Sequence, residues 1–200
     1  MTVTYEGKGA VMEALFLLLI TFSLAAGIYG SVLQSGANIV RLDRRMTLTG
    51  FAVGAIQLGA SVLGYLIGKR VLLAGIVGDG HRFWARALGG VLLAFIGVRM
   101  LMRAFQRKTF LEHRIERIDM KKDVLADLQL CVYSALAGAA CGLLSFHFLL
   151  FLLLIFLFAL FSAIGGYISG RANGAEHAPY AYALGGGLLC AVSLLIQFAA

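Results

Sequence analysis

Six long apolar runs, separated by polar segments, account for almost the whole chain. The first extends from about Val11 to Leu33, the second from Thr47 to Gly68, and the third from Trp84 to Phe105. From Ala126 to Ile168 the chain is apolar almost without a break. As one straight helix this stretch would be roughly 60 Å long, about twice the hydrocarbon thickness of a bilayer. It must therefore turn, and Ser145-Phe146-His147-Phe148 near its centre is the expected place, giving spans over 126–146 and 148–168. The sixth run goes from Pro179 to Ala199. Each run matches the about 20 residues a membrane helix needs. Lipid makes each span satisfy its own backbone, so helices are expected. The predicted fold is an all-α integral membrane protein with six transmembrane helices.

Composition agrees. Of 200 residues, 60% are hydrophobic, only one is proline, and mean hydropathy is +0.90, which excludes a soluble domain. One helical bundle uses up the chain, so residues 1–200 are expected to form a single membrane domain. Residues 1–10 are polar but not net positive, and the apolar pattern continues past Ala26. An uncleaved first span fits this better than a signal peptide. Glu13 falls near its start, within reach of interfacial water.

The net charge of +7 raises the question of nucleic acid, and its distribution answers it. Of the 17 Lys and Arg, five (Lys8, Lys69, Arg70, Arg82 and Arg86) fall on the side holding the N-terminus and the loops after even-numbered spans. The other twelve, including Arg41, Arg44, Arg45, Arg99, Arg103, Lys121, Lys122 and Arg171, fall on the opposite side. Cytoplasmic loops collect such residues, so this bias places both termini outside a cell (plasma) membrane. The expected partner is the lipid bilayer, not nucleic acid. Cys131, Cys141 and Cys190 are scattered through apolar runs and are read as small packing residues. No phosphate loop, nucleophile–base pair or metal-ligand spacing occurs, so no catalytic residue, metal site or cofactor is expected and the chain is not read as an enzyme.

The two halves echo each other. Ala87-Leu88-Gly89-Gly90-Val91-Leu92-Leu93 matches Ala183-Leu184-Gly185-Gly186-Gly187-Leu188-Leu189, and Gly64-Tyr65-Leu66-Ile67-Gly68-Lys69 matches Gly166-Tyr167-Ile168-Ser169-Gly170-Arg171. Ser23-Leu24-Ala25-Ala26-Gly27 is echoed by Ser134-Ala135-Leu136-Ala137-Gly138. A three-span unit is odd-numbered, so its copy enters from the opposite face, giving the inverted repeat used by many secondary transporters. The expected division is a first repeat over 11–105, a charged cytoplasmic linker over 106–125, and a second repeat over 126–200.

Helical projection places Gly50, Gly54, Gln57, Ser61, Gly64 and Gly68 on one face of the second span. Ser23, Gly27, Gly30 and Gln34 make a similar stripe on the first, and Gly186, Cys190, Ser193 and Gln197 on the sixth. Such faces let membrane helices approach closely. Gln57, Ser23, Ser61 and Ser134 are the candidate residues of a substrate pathway, since polar groups inside spans mark such routes. The competing reading is that they hydrogen-bond across helices, or back to their own helix, and only hold the bundle together.

On these features the chain resembles the MntP-type manganese exporters, a branch of the LysE-like transporter superfamily. Gly54-Ala55-Ile56-Gln57 resembles the family's Gly-Ala-x-Glu, and Gly97-Val98-Arg99-Met100 its Gly-x-Arg-Met. Ser23-Leu24-Ala25 and Ser134-Ala135-Leu136 stand where it has Ser-x-Asp. The resemblance implies two three-span repeats, both ends outside, and ion efflux. Against that pattern, Ala25 and Leu136 replace the motif aspartates and Gln57 the glutamate. Manganese favours hard oxygen donors, chiefly carboxylate, carbonyl and water. The family's metal mechanism is therefore not expected to transfer.

Two functions remain open: a divergent transporter moving a small solute or cation through a carboxylate-free path, or a pseudo-transporter acting as scaffold or accessory subunit. The second calls for a membrane-protein partner or homo-oligomer. Residues 106–125 carry Phe110, Leu111, Ile115 and Ile118 at near-helical spacing among ten charges, from Arg107 to Asp123. They fit an amphipathic helix on the anionic leaflet, a docking segment, or a solvated linker.

Overall fold

The computed structural model describes the backbone of residues 3–37, 44–73, 81–106 and 120–198, and the side chains of 11–37, 48–71, 83–106 and 130–198. Among these residues all regular structure is helical: α1 (Val3–Ala37), α2 (Arg44–Leu73), α3 (His81–Phe105), α4 (Met120–Leu143), α5 (Phe148–Asn173) and α6 (Ala178–Phe198). Five helices are long and apolar enough to cross a membrane, over Val11–Ala37, Leu48–Val71, Phe83–Phe105, Phe148–Asn173 and Ala178–Phe198. The described apolar part of α4, Leu130–Leu143, is shorter. Most of the 106–125 linker lies outside the described residues.

The break predicted inside the long apolar run falls where it was expected. Ser145 takes a left-handed backbone, with φ 56°. Around it the Ser145 N–H donates to the Gly142 carbonyl (3.2 Å) and the Phe146 N–H to the Cys141 carbonyl (3.1 Å). These paired bonds cap the end of α4, a motif that usually places glycine where Ser145 stands. Two further ties hold the turn. Glu13 of α1 accepts the His147 backbone N–H at 2.5 Å, and the Tyr65 hydroxyl of α2 donates to the Phe146 carbonyl at 2.8 Å. The Tyr65 ring also lies 4.7 Å from that of Phe148.

The helices pack through glycine-lined seams. In the α2/α4 seam, a methyl at Gly64 or Gly68 would overlap the Ala135 or Ala139 carbonyl, and one at Gly138 or Gly142 the Ser61 or Tyr65 carbonyl. In the α1/α5 seam Gly170 lies against the Leu33 carbonyl, and a methyl at Gly36 would come within 2.8 Å of the Tyr167 carbonyl. Contacts advance in the same direction along both members of each seam, so α1 runs parallel to α5 and α2 to α4. In the third seam Gly97 of α3 faces Gly186 and Cys190 of α6, while Gly90 faces Gln197, so this pair is antiparallel.

The core is built from side chains such as Leu17, Ile20, Leu93, Ile96, Met100, Phe151 and Ile155, all fully or nearly fully buried. Met100 projects between α1 and α6, so close that its methyl would meet a Cβ at Gly27 (2.8 Å) or Gly185 (2.7 Å). Outward positions are large and apolar, for example Phe95, Leu149, Leu153 and Phe161, as a lipid-facing surface requires.

Candidate functional site

Small residues on the predicted face of α2 serve two neighbours, not one. Gly50 and Gly54 lie against Ala163 and Phe156 of α5, whereas Ser61, Gly64 and Gly68 lie against α4. Gln57 sits between these two regions. Its side chain is 1% exposed, and its Oε1 accepts a hydrogen bond from the Ser134 hydroxyl of α4, itself 1% exposed. The other end of the amide, Nε2, is buried and has no hydrogen-bond partner. One helical turn on, the Ser61 hydroxyl donates to the Gln57 backbone carbonyl at 2.8 Å. Three of the four candidate residues are thus brought together at the α2/α4 seam, and only Gln57 and Ser134 join one helix to the other by a side-chain bond.

Ser23 lies elsewhere. Its hydroxyl donates back to the Leu19 carbonyl at 2.8 Å, and its own carbonyl stands 2.6 Å from where a Cβ on Gly185 of α6 would lie. Thr21 behaves alike, bonding the Leu17 carbonyl at 2.7 Å. The stripe Ser23, Gly27 and Gly30 therefore seats Met100, Gly185 and Tyr182. The Ser23–Gly27 and Ser134–Gly138 echo does not mark equivalent surroundings: Gly27 faces Met100 and Leu130, while Gly138 faces the Ser61 backbone. Small residues suit close packing in any register, so the match in letters carried no information about neighbours.

Among the described residues the acidic and basic side chains keep to the ends of the spans. Glu13 is engaged at the α4–α5 turn, and the Arg103 guanidinium stacks 5.5 Å over the Tyr182 ring. Among the described residues no three His, Cys, Asp or Glu gather closely enough to hold a metal ion. The cysteines are unpaired by disulfides, and Cys190 packs against Gly97. The α6 stripe is structural as well: Ser193 donates to the Gly90 carbonyl at 2.8 Å and Gln197 Nε2 to the Arg86 carbonyl at 3.1 Å. Sequence reasoning did not find the Glu13 and Tyr65 ties to the turn, because neither has a local signal and both bonds span more than 80 positions.

Residues 41–196 match the model of a family described as "Putative manganese efflux pump". The chain belongs to this MntP family. The match covers most of α2 through α6 and includes both Gln57 and Ser134. No curated protein and no solved structure matches the chain. Family membership and the apolar helices make this a membrane protein of a transporter family. The positions at which the resemblance placed acids are Ala25, which is buried at 3% exposure, Leu136 and Gln57.

Proposed function

We propose that this MntP-family chain is a divergent transporter, moving a small solute or cation along a carboxylate-free path between two inverted three-helix repeats. The carrying observation is the Gln57–Ser134 pair, a buried polar contact joining the first half to the second with one amide donor left over. Exchange of the halves turns the α1/α5 seam into the α2/α4 seam and returns α3/α6 to itself. Two parallel seams and one antiparallel seam are what opposed three-helix units require, which supports the repeat. So does the reciprocity of the third seam: Gly97 against Gly186 has its counterpart in Ser193 against Gly90. With the Lys and Arg bias, this arrangement gives six crossings in the plasma membrane with both termini outside.

In this reading Gln57 and Ser134 line the path, while Ser61 and Ser23 shape the helices beside it. One observation favours a scaffold or accessory subunit instead: Gln57 is closed off at 1% exposure and bonded across the seam, as interhelical glue would be. A deletion strain complemented with wild type or Gln57→Ala separates the two. Transport expects altered intracellular manganese or another small solute in the deletion, restored by wild type and not by a stably inserted Gln57→Ala. A stoichiometric membrane partner together with full complementation by Gln57→Ala would give the scaffold reading its support.

A further inference from the structure

The α4–α5 turn is held by helices that it does not connect. The first turn of α5, Phe148-Leu149-Leu150-Phe151, contains no acid, and His147 at its N-cap makes no capping bond with its side chain. In a capping box the N-cap backbone N–H is taken by a Glu or Gln three residues on, a position filled here by Leu150. Glu13 of α1 takes that part instead, accepting the His147 N–H, and its negative charge suits a helix N-terminus. One residue earlier the Phe146 carbonyl accepts the Tyr65 hydroxyl of α2, whose ring lies against Phe148 of α5. Cys141, in the last turn of α4, is wholly buried and its carbonyl accepts the Phe146 N–H. Glu13 and Cys141 both lie within electrostatic reach of the Tyr65 hydroxyl.

We infer that Glu13 and Tyr65 form a latch that clamps the α1/α5 and α2/α4 pairs together at this turn, and that its release opens the bundle at that face. This rests on the transporter reading, in which groups of helices rock against one another. Within each pair glycines bring backbone against backbone, as Gly68 does on Ala139 and Gly170 on Leu33. Between the pairs, Gly50 and Gly54 of α2 meet only side chains of α5, at 3.5 Å or more. The line between α2 and α5 is therefore the one that can part. Both ties of the latch end on backbone atoms of one short turn, so lifting it breaks two hydrogen bonds and leaves the glycine seams whole. Glu13 is half-buried, so water replaces its lost bond when the turn lifts.

The test uses the full chain in lipid nanodiscs, where a charged maleimide that does not enter lipid reaches both faces. Three single-cysteine forms keep Cys141, Cys131 or Cys190, with the other two replaced by alanine. With the latch intact, Cys141 is expected to react slowly. Glu13→Ala should speed its labelling about fivefold to tenfold and Tyr65→Phe about threefold, for the loss of a charged and an uncharged hydrogen bond. Glu13→Gln keeps an oxygen for the His147 N–H and should speed it less than Glu13→Ala. Cys131 and Cys190, away from the turn, should keep their rates throughout. An unchanged Cys141 rate would overturn the proposal. So would a rise at all three cysteines, which is what general loosening of the bundle gives. If Glu13→Ala does not insert stably, Tyr65→Phe carries the same comparison. Labelling reads opening and not flux, so an inert Cys141 overturns the latch while the complementation experiment still decides on transport. Failed complementation with Cys141 exposed as expected would instead remove the transporter reading and leave the latch standing.

Discussion

The α2/α4 and α1/α5 seams share a backbone design and differ in chemistry. Each is a parallel pair in which Gly-Tyr-x-x-Gly segments, Gly64–Gly68 and Gly166–Gly170, press against the partner's carbonyls. In register with those motifs, the position of Gln57 corresponds to Ala159 on α5, which is wholly buried. At this depth one seam therefore carries a polar pair where the other has only a methyl group. At the first glycine of the motif the α2/α4 seam is the tighter one, for a methyl at Gly64 would overlap the Ala135 carbonyl, whereas a methyl at Gly166 meets the Val32 side chain at 3.0 Å and the Tyr29 carbonyl at 3.1 Å; the second glycines, Gly68 and Gly170, both overlap backbone. Glycine spacing sets how near two helices come; what is exchanged across the seam depends on one or two side chains.

The largest expected effect tests the difference in tightness. Gly64→Ala should cost about 3 kcal/mol or more, because a backbone carbonyl cannot step aside and the helices must part. Gly166→Ala should cost less, about 1–2 kcal/mol, since contacts of 3.0 Å to Val32 and 3.1 Å to the Tyr29 carbonyl need give by only a few tenths of an ångström. Thermal unfolding in detergent measures both, and equal losses would remove the distinction between the seams. Next comes the polar pair. Ser134→Ala leaves both ends of the Gln57 amide without a partner and should destabilise by about 1–3 kcal/mol. Replacing both partners, as in Gln57→Leu with Ser134→Ala, should recover most of that loss. A double mutant no better than Ser134→Ala would mean the amide finds bonds elsewhere.

Smaller effects concern the turn between α4 and α5, where elements of both seams meet. Tyr65→Phe keeps the ring contact with Phe148 and loses the bond to the Phe146 carbonyl, for about 0.5–1.5 kcal/mol. Ser145→Gly relieves a left-handed backbone and should raise stability by up to about 1 kcal/mol. Smallest of all, Gly59→Ala and Gly187→Ala point into open space away from every seam and should change stability by less than about 1 kcal/mol. A large loss at either would mean those faces are covered by another chain.

Much of the fold was legible because a bilayer imposes a length and a composition that any span must display. The helices overlie the expected spans and several run past them, α1 beginning at Val3 where Val11 was expected and α5 ending at Asn173 where Ile168 was, and the turn at Ser145–Phe148 followed from length alone. The glycine faces of α2 and α6 were legible as packing surfaces from their periodicity. Their partners were not. The letters Ser-x-x-Ala-Gly occur on α1 and α4, yet Ser23 bonds its own helix while Ser134 bonds Gln57.

By itself the sequence determined that this is a helical membrane protein of the MntP type, since hydropathy and residue identity are local properties. Only the tertiary structure decided that Ser134 meets Gln57 77 positions away and that Glu13 holds the distant turn. The reason is physical: a hydroxyl on a membrane helix can bond its own backbone or a neighbour, and which it does depends on the rotation and depth of a helix far away in the chain.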